Sequence, residues 1–257
     1  MKRTFLGVLI CICLCGCHKE TDELIGDNFL SSHGPVYEHS LLQGFVHLGE
    51  DSLRVWKYDS VIFYGIRPNK YQSAQSVELS YSKHFNLLVA MNGHRMTNWT
   101  SLRKLLEPIG DIEYKNGTFE TYIDDAIAFY DTLSAINVTC TNADFDEQHP
   151  QGSSLNDILT IYVRDWGNVI RNGYKVPEGN NYYAFHDSFY KYPDCYYVEN
   201  LSTFDWSAHT YAKSEFLLGF NNAPQNSGEY VFEVELKSKD GKVAKASTEQ
   251  VHIDAVK

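Results

Sequence analysis

Between Tyr230 and Lys237 the side chains alternate in character. Tyr230, Phe232, Val234 and Leu236 are apolar, while the alternate positions Val231, Glu233, Glu235 and Lys237 are largely charged. Successive side chains of a strand point to opposite faces, so this pattern demands a strand with one face in a core. Lys239-Asp240-Gly241 follows as a turn. A two-residue Asp-Gly loop pairs Leu236 with Lys245 and Val234 with Ser247, which sets the core face against polar side chains. A three-residue loop with Gly241 left-handed pairs Leu236 with Ala244 and Val234 with Ala246, so this second register is expected. Val251 and Ile253 fall out of phase with Ala244 and Ala246, which requires a bulge over Thr248 to Gln250.

Upstream, Arg54-Val55-Trp56 and the run from Ser60 to Ile66 are rich in β-branched and aromatic residues. Val77 to Tyr81 alternates strictly, and Phe85 to Met91 is the continuous apolar run of a central strand. One short helix interrupts them. Thr100 can cap it, Leu102, Leu105 and Leu106 share a face, and Pro108 with Gly110 ends it. Asn116-Gly117 marks a tight turn. Asp131 to Ser134 reads as a domain boundary, with Ala135 to Cys140 opening the second unit as an alternating strand. Leu155, Ile158 and Leu159 suit a single helical turn, and residues 165–210, crowded with Gly, Asn, Pro and Tyr, read as long loops.

The N-terminus carries a different signal. Lys2 and Arg3 precede an apolar run from Phe5 to Leu14, too short to span a bilayer and suited to an export signal. Leu14-Cys15-Gly16-Cys17 closes it and resembles the lipobox of bacterial lipoproteins. The resemblance implies that Cys17 is lipidated and becomes the mature N-terminus. Lys19, Glu20, Asp22 and Glu23 resemble the Lys-then-acidic signal that sends Bacteroidetes-type lipoproteins to the outer face of the outer membrane; a periplasm-facing anchor is the alternative. The expected organisation is a signal peptide over 1–16, an acidic tether over 17–40, a β-rich domain with a short helix over 41–133, and a β-sandwich over 134–257. The closing hairpin, led by Gly228, Tyr230, Phe232 and Val234, resembles the last strands of immunoglobulin-like and fibronectin-type-III sandwiches and implies that fold alone. The fold class expected is therefore mainly β.

A net charge of −11 argues against a nucleic-acid partner, which needs clustered Lys and Arg. Four of six cysteines lie in the signal and lipobox, leaving Cys140 and Cys195. Outside the inner membrane one disulfide between these two is expected, with two buried thiols as the alternative.

Enzyme signatures are absent: there is no Gly-x-Ser-x-Gly, His-Glu-x-x-His, phosphate loop or dinucleotide glycine pattern. Asn142, Asp144 and Asp146 are spaced like the first ligands of a calcium loop. Glu147 then replaces the required Gly and Ser153 the closing Glu, so no metal is expected. His186-Asp187 lies among tyrosines without a nucleophile at any telling spacing. Aromatics from these loops suit stacking on sugar rings or packing of the core. Trp166, Tyr183, Tyr190 and Trp206 are the candidates for a ligand platform. Asp131-Thr132-Leu133 matches the O-glycosylation sequon of Bacteroidetes-type bacteria, with Thr132 as acceptor.

Taken together, the chain resembles uncharacterised Bacteroidetes-type lipoproteins. A non-enzymatic, membrane-anchored binding or structural module is expected, without cofactor, facing a glycan or an envelope protein. A hydrolase using His186, or an adhesin or fimbria-like subunit, is the alternative.

Overall fold

The computed structural model describes residues 40–49, 52–58, 62–66, 76–80, 85–91, 95–96, 99–111, 126–179, 181–185 and 195–255. The lipobox, the tether, the Asn116-Gly117 turn, His186, Asp187 and Tyr190 lie outside them. The described chain is mainly β, as the sequence pattern demands. In order it forms β1 (Gly44–Val46), β2 (Leu53–Tyr58), β3 (Ile62–Ile66), β4 (Ser76–Ser80), β5 (Asn86–Met91), β6 (Arg95–Met96) and α1 (Trp99–Ile109). Next come β7 (Ile127–Phe129), β8 (Leu133–Cys140), β9 (Leu159–Arg164), α2 (Trp166–Arg171), β10 (Tyr182–Phe185), β11 (Cys195–Asn200) and β12 (Glu215–Phe220). β13 (Gly228–Tyr230), β14 (Phe232–Ser238), β15 (Val243–Ser247) and β16 (Val251–Ile253) close it. No helix among the described residues is long and apolar enough to cross a membrane.

The closing hairpin takes the register that keeps apolar residues together. Leu236 pairs with Ala244 and Val234 with Ala246, and Gly241 has φ +88°. The phase break is resolved by a change of partner. β15 pairs with β14, whereas β16 pairs with β13, Tyr230 opposite Val251. Thr248 sits at the crossing, accepting from Phe232 N through Oγ1 at 3.1 Å and donating its own N–H to Phe232 O at 2.9 Å. Val251 and Ile253 thereby stay buried in the core.

The expected boundary near residue 134 does not separate two sheets. One eight-stranded sheet runs β2-β5-β12-β9-β11-β10-β3-β4, so strands from both sides of Leu133 interleave. Phe216 of β12 pairs with Val89 of β5, and Ala184 of β10 with Ile66 of β3. Leu133 itself starts β8, which pairs with β14 in a second sheet ordered β15-β14-β8. Such pairings join residues about ninety or more positions apart, and local turn signals say nothing about them.

These two sheets feed one core, and two further sheets, β6-β1-β7 and β13-β16, complete the described strands. Leu87, Val89, Ile161, Val163, Phe216 and Phe220 from the large sheet meet Val138, Phe232, Val234 and Leu236 from the small one. A second cluster packs the helices, with Leu102 and Leu106 of α1 and Trp166, Val169 and Ile170 of α2 around Phe45, Tyr182 and Cys195. Helix α1 begins at Trp99, so Thr100 is its second residue and not its cap. It ends as expected: Gly110 has φ +77°, and Asp111 N donates back to Leu106 O at 3.0 Å. The fully buried Asp111 carboxylate then accepts from Leu41 N at 2.7 Å and Leu42 N at 2.8 Å, fixing the chain's entry to the domain. Burial pushes this carboxyl above its usual range despite those bonds and one from Tyr174.

Two glycines separate conformational from steric need. A Cβ on Gly241 meets nothing within 4 Å, whereas one on Gly167 stands 1.9 Å from Thr210 O. Gly241→Ala costs about 1 kcal/mol, the price of one left-handed residue. Gly167→Ala forces α2 off the Thr210 backbone and costs about 3 kcal/mol. Denaturant melts of the two variants should rank them in that order; equal losses contradict the close approach at Gly167.

Candidate functional site

The outer face of the eight-stranded sheet is not the polar surface that alternation alone suggests. Across five strands, Trp56, Leu88, Leu217, Tyr162 and Val198 stand in register. In the adjoining row, Arg164 of β9 is opposite Tyr196 of β11, which is opposite Tyr183 of β10. Tyr162, Tyr196 and Leu217 form a small apolar cluster with Tyr58, Leu88 and Val198. Burial, and then the neighbouring Tyr183, push the Tyr162 hydroxyl up to about 12, so it stays a neutral donor.

A cup of about 140 Å³ opens among these side chains, walled by Tyr58, Leu88, Tyr196 and Leu217 and rimmed by Arg164, Lys213 and Glu215. Its polar rim is ordered. The Arg164 guanidinium lies 5.4 Å from the centre of the Tyr196 ring, and Lys213 Nζ donates to Glu215 Oε1 at 3.1 Å. Trp56, 43% exposed, stands one outward position along β2 from Tyr58. A cavity of about 150 Å³ holds a six-membered ring, whereas whole ligands usually occupy 300–1,000 Å³. The cup therefore fits one ring of a larger ligand.

Behind this corner, where β9 gives way to α2, lies a buried polar network. Asp165 caps α2, accepting from Asn168 N at 3.1 Å. Its Oδ2 also accepts from Tyr182 Oη at 2.7 Å, from Asn168 Nδ2, and from His209 Nδ1 at 2.7 Å. Burial works to raise the Asp165 carboxyl. The His209 hydrogen bond and charge, with Tyr182 and Asn168, outweigh it and hold the carboxyl below its usual range. An ionised carboxylate only accepts, so Nδ1 of His209 carries a proton. The His209 ring is stacked on Phe204, centroids 4.7 Å apart, and tilted against Tyr197 at 4.2 Å. This arrangement fixes a tautomer and braces two loops. It is a scaffold for the corner.

The sequence-derived platform is redistributed. Trp166 is 0% exposed and Trp206 4%, so neither offers a face to a ligand. Trp166 packs the helix cluster, and Trp206 is wedged between Phe204, Phe129 and Phe216. Residues 165–210 are also less loop-like than expected, because Trp166 starts α2 and Trp206 a 3-10 turn. Tyr183 is half-buried in the row with Tyr196. Cys140 and Cys195 are two free buried thiols, the first in the main core and the second in the helix cluster, so the bridge is not formed. Thr132 is half-buried between buried Asp131 and Leu133. Asp131 accepts from Leu48 N at 2.6 Å and Lys242 Nζ at 2.7 Å, which ties this segment down where a linker was expected.

Asp165, His209, Arg164 and Tyr196 escaped the sequence reading. One signal was present: Thr160, Tyr162 and Arg164 alternate with the apolar Ile161 and Val163, and Asp165 then stands as a helix cap. The partnership with His209 had none, being a meeting of residues 44 positions apart. Compared with known protein families, curated proteins and solved structures, the chain matches none.

The calcium-like triplet has another role. Asn142 Oδ1 accepts from Val231 N at 2.8 Å, Asp144 Oδ1 from Gln151 N at 2.7 Å, and Asp146 Oδ1 from Gln148 N at 2.8 Å. Their oxygens thus hold backbone N–H groups. His149, 5% exposed, pins the loop, with Nδ1 2.7 Å from Asp146 and Nε2 3.0 Å from Asp157. Burial favours neutral forms here. The His149 side chain and the N–H groups of Gln148 and His149 nevertheless hold Asp146 below its ordinary 3.8, and the two carboxylates lift His149 above its ordinary 6.5. Asp146 therefore stabilises the fold above 3.8 and loses this as pH falls through its lowered value. His149 stabilises it fully below 6.5 and loses this as pH rises through its raised value. The melting-temperature gap between wild type and His149→Gln should be widest between pH 3.8 and 6.5 and shrink as the pH rises through the raised value of His149. A gap constant across that range contradicts a charged pin.

Proposed function

We propose that this protein is a non-enzymatic glycan-binding module, anchored by a lipid on Cys17 and facing outward from the outer membrane. The observation that carries the binding half is the cup, where tyrosine rings and an Arg/Lys/Glu rim surround a space for one ring. A pyranose presents apolar C–H faces and a girdle of hydroxyls. Aromatic walls suit the faces, and fixed charged groups suit the hydroxyls as donors and acceptors. The buried Asp165–His209 pair speaks for scaffolding over hydrolysis, because its imidazole is stacked against aromatic rings. Anchoring and orientation are supported by Leu14 to Cys17 and by the charged residues Lys19 to Glu23.

Glycan-array screening of the soluble chain lacking residues 1–17 tests the binding half. Tyr58→Ala and Trp56→Ala should each lower the affinity for a retained glycan about tenfold, from about 1–1.5 kcal/mol of lost stacking. Binding that is absent in wild type, or unchanged in both variants, removes the reading. For the anchor, metabolic labelling with a fatty-acid probe should mark wild type and leave Cys17→Ala unlabelled; labelled Cys17→Ala contradicts it.

A further inference from the structure

Arg171, the last residue of α2, is exposed yet held in one orientation. Its Nε and Nη2 donate to Asn168 Oδ1 at 3.2 and 2.7 Å, and its Nη1 donates to Thr210 Oγ1 at 2.9 Å. Asn168 is itself fixed, since Nδ2 donates to Asp165 Oδ2 and to Ala208 O at 3.0 Å. A chain of hydrogen bonds therefore runs from the buried Asp165 carboxylate to a surface cation. Most exposed arginines rotate freely and lose that freedom on binding; this one has lost it in advance.

A guanidinium has five N–H donors. Three are used here, which leaves one on each terminal nitrogen. Among the described residues no carboxylate forms an ion pair with Arg171 or with its neighbour Lys175. Both line an open groove of about 780 Å³, within the usual range for a whole small ligand. Asn172 lines it too, with Nδ2 donating to Lys175 O and Val176 O at 3.2 Å each and Oδ1 left as an acceptor. Val176 and Pro177 add a half-buried apolar wall. Glu178 also borders the groove, so its lining carries both signs of charge.

We infer that this groove binds the carboxylate of an acidic sugar. The terminal N–H groups of Arg171 take the carboxylate and Lys175 adds charge. Asn172 Oδ1 accepts from a ring hydroxyl, and Val176 with Pro177 meets the ring's C–H face. The site shares no residue with the cup and rests on the glycan reading only for the choice of a sugar as ligand.

Titration calorimetry of the soluble chain carrying Tyr58→Ala, which disables the cup, with glucuronate, glucose and inorganic phosphate decides it. Glucuronate should bind saturably, with glucose and phosphate at least about tenfold weaker. Arg171→Lys keeps the charge, loses the planar donor pair and should weaken glucuronate about tenfold, while Arg171→Gln should abolish binding. Circular-dichroism melts of both variants report the fold separately. With the cup disabled throughout, failure of the cup and failure of the groove read out apart. Glucose or phosphate binding as tightly as glucuronate, an acidic peptide binding more tightly, or Arg171→Gln binding like wild type each overturns the inference.

Discussion

The fold depends on the aromatic contact that joins the eight-stranded sheet to the β15-β14-β8 sheet. Phe232 of β14 lies 5.1 Å from the Phe220 ring and 5.3 Å from Phe85, while Phe85 and Phe220 stack at 4.0 Å. Phe145 reaches in from the acidic loop, 5.5 Å from Phe220, and Tyr230 lies 6.2 Å from Phe232. The joint therefore gathers the start of β5, the end of β12, the beginning of β14 and the loop pinned by His149. Aromatic side chains bury more area than any others, so one such cluster can fix the relation of sheets whose strands are far apart in sequence.

Once the sheets are joined, the corner at the end of β9 becomes decisive. Arg164 faces outward into the cup, Asp165 turns inward to His209 and Tyr182, and Asn168 and Arg171 follow one and two turns along α2. Strand alternation followed by a helix cap thus sends consecutive side chains to the two opposite faces of one sheet. Gly167 lets α2 lie directly against the Thr210 backbone, which places Thr210 Oγ1 on Arg171. The buried carboxylate at the centre stays charged because its three side-chain donors outweigh desolvation. Rigidity at the centre is passed outward as orientation at the surface.

Legibility followed the range of the interaction. The β14–β15 register was legible because only one loop length kept Leu236 and Val234 opposite alanines. The end of α1 was legible because Gly110 is a local signal. The unit boundary misled, since Asp131 and Thr132 look like a linker by composition and are held by Leu48, Lys242 and Lys239 from elsewhere in the chain. For the aromatics of residues 165–210 the sequence leaves both core packing and a ligand platform open, and α2 and the 3-10 turn decide for packing at Trp166 and Trp206 by folding them inward.

By itself, the sequence determined the mainly β class, the end of α1, the phase of the closing hairpin, and the phase shift before Val251, which it assigned to a bulge. Those follow from side-chain period and turn chemistry, which act within a few residues. The tertiary structure alone decided that strands from both halves share one sheet, that β16 leaves β14 for β13, and that Asp165, His209 and Tyr182 converge. It also decided which aromatics face solvent: Trp56 does, and Trp166 does not. The physical reason is that period specifies which face of a strand is apolar. Which partner covers that face, and which polar side chains meet behind it, is settled only by packing between distant segments.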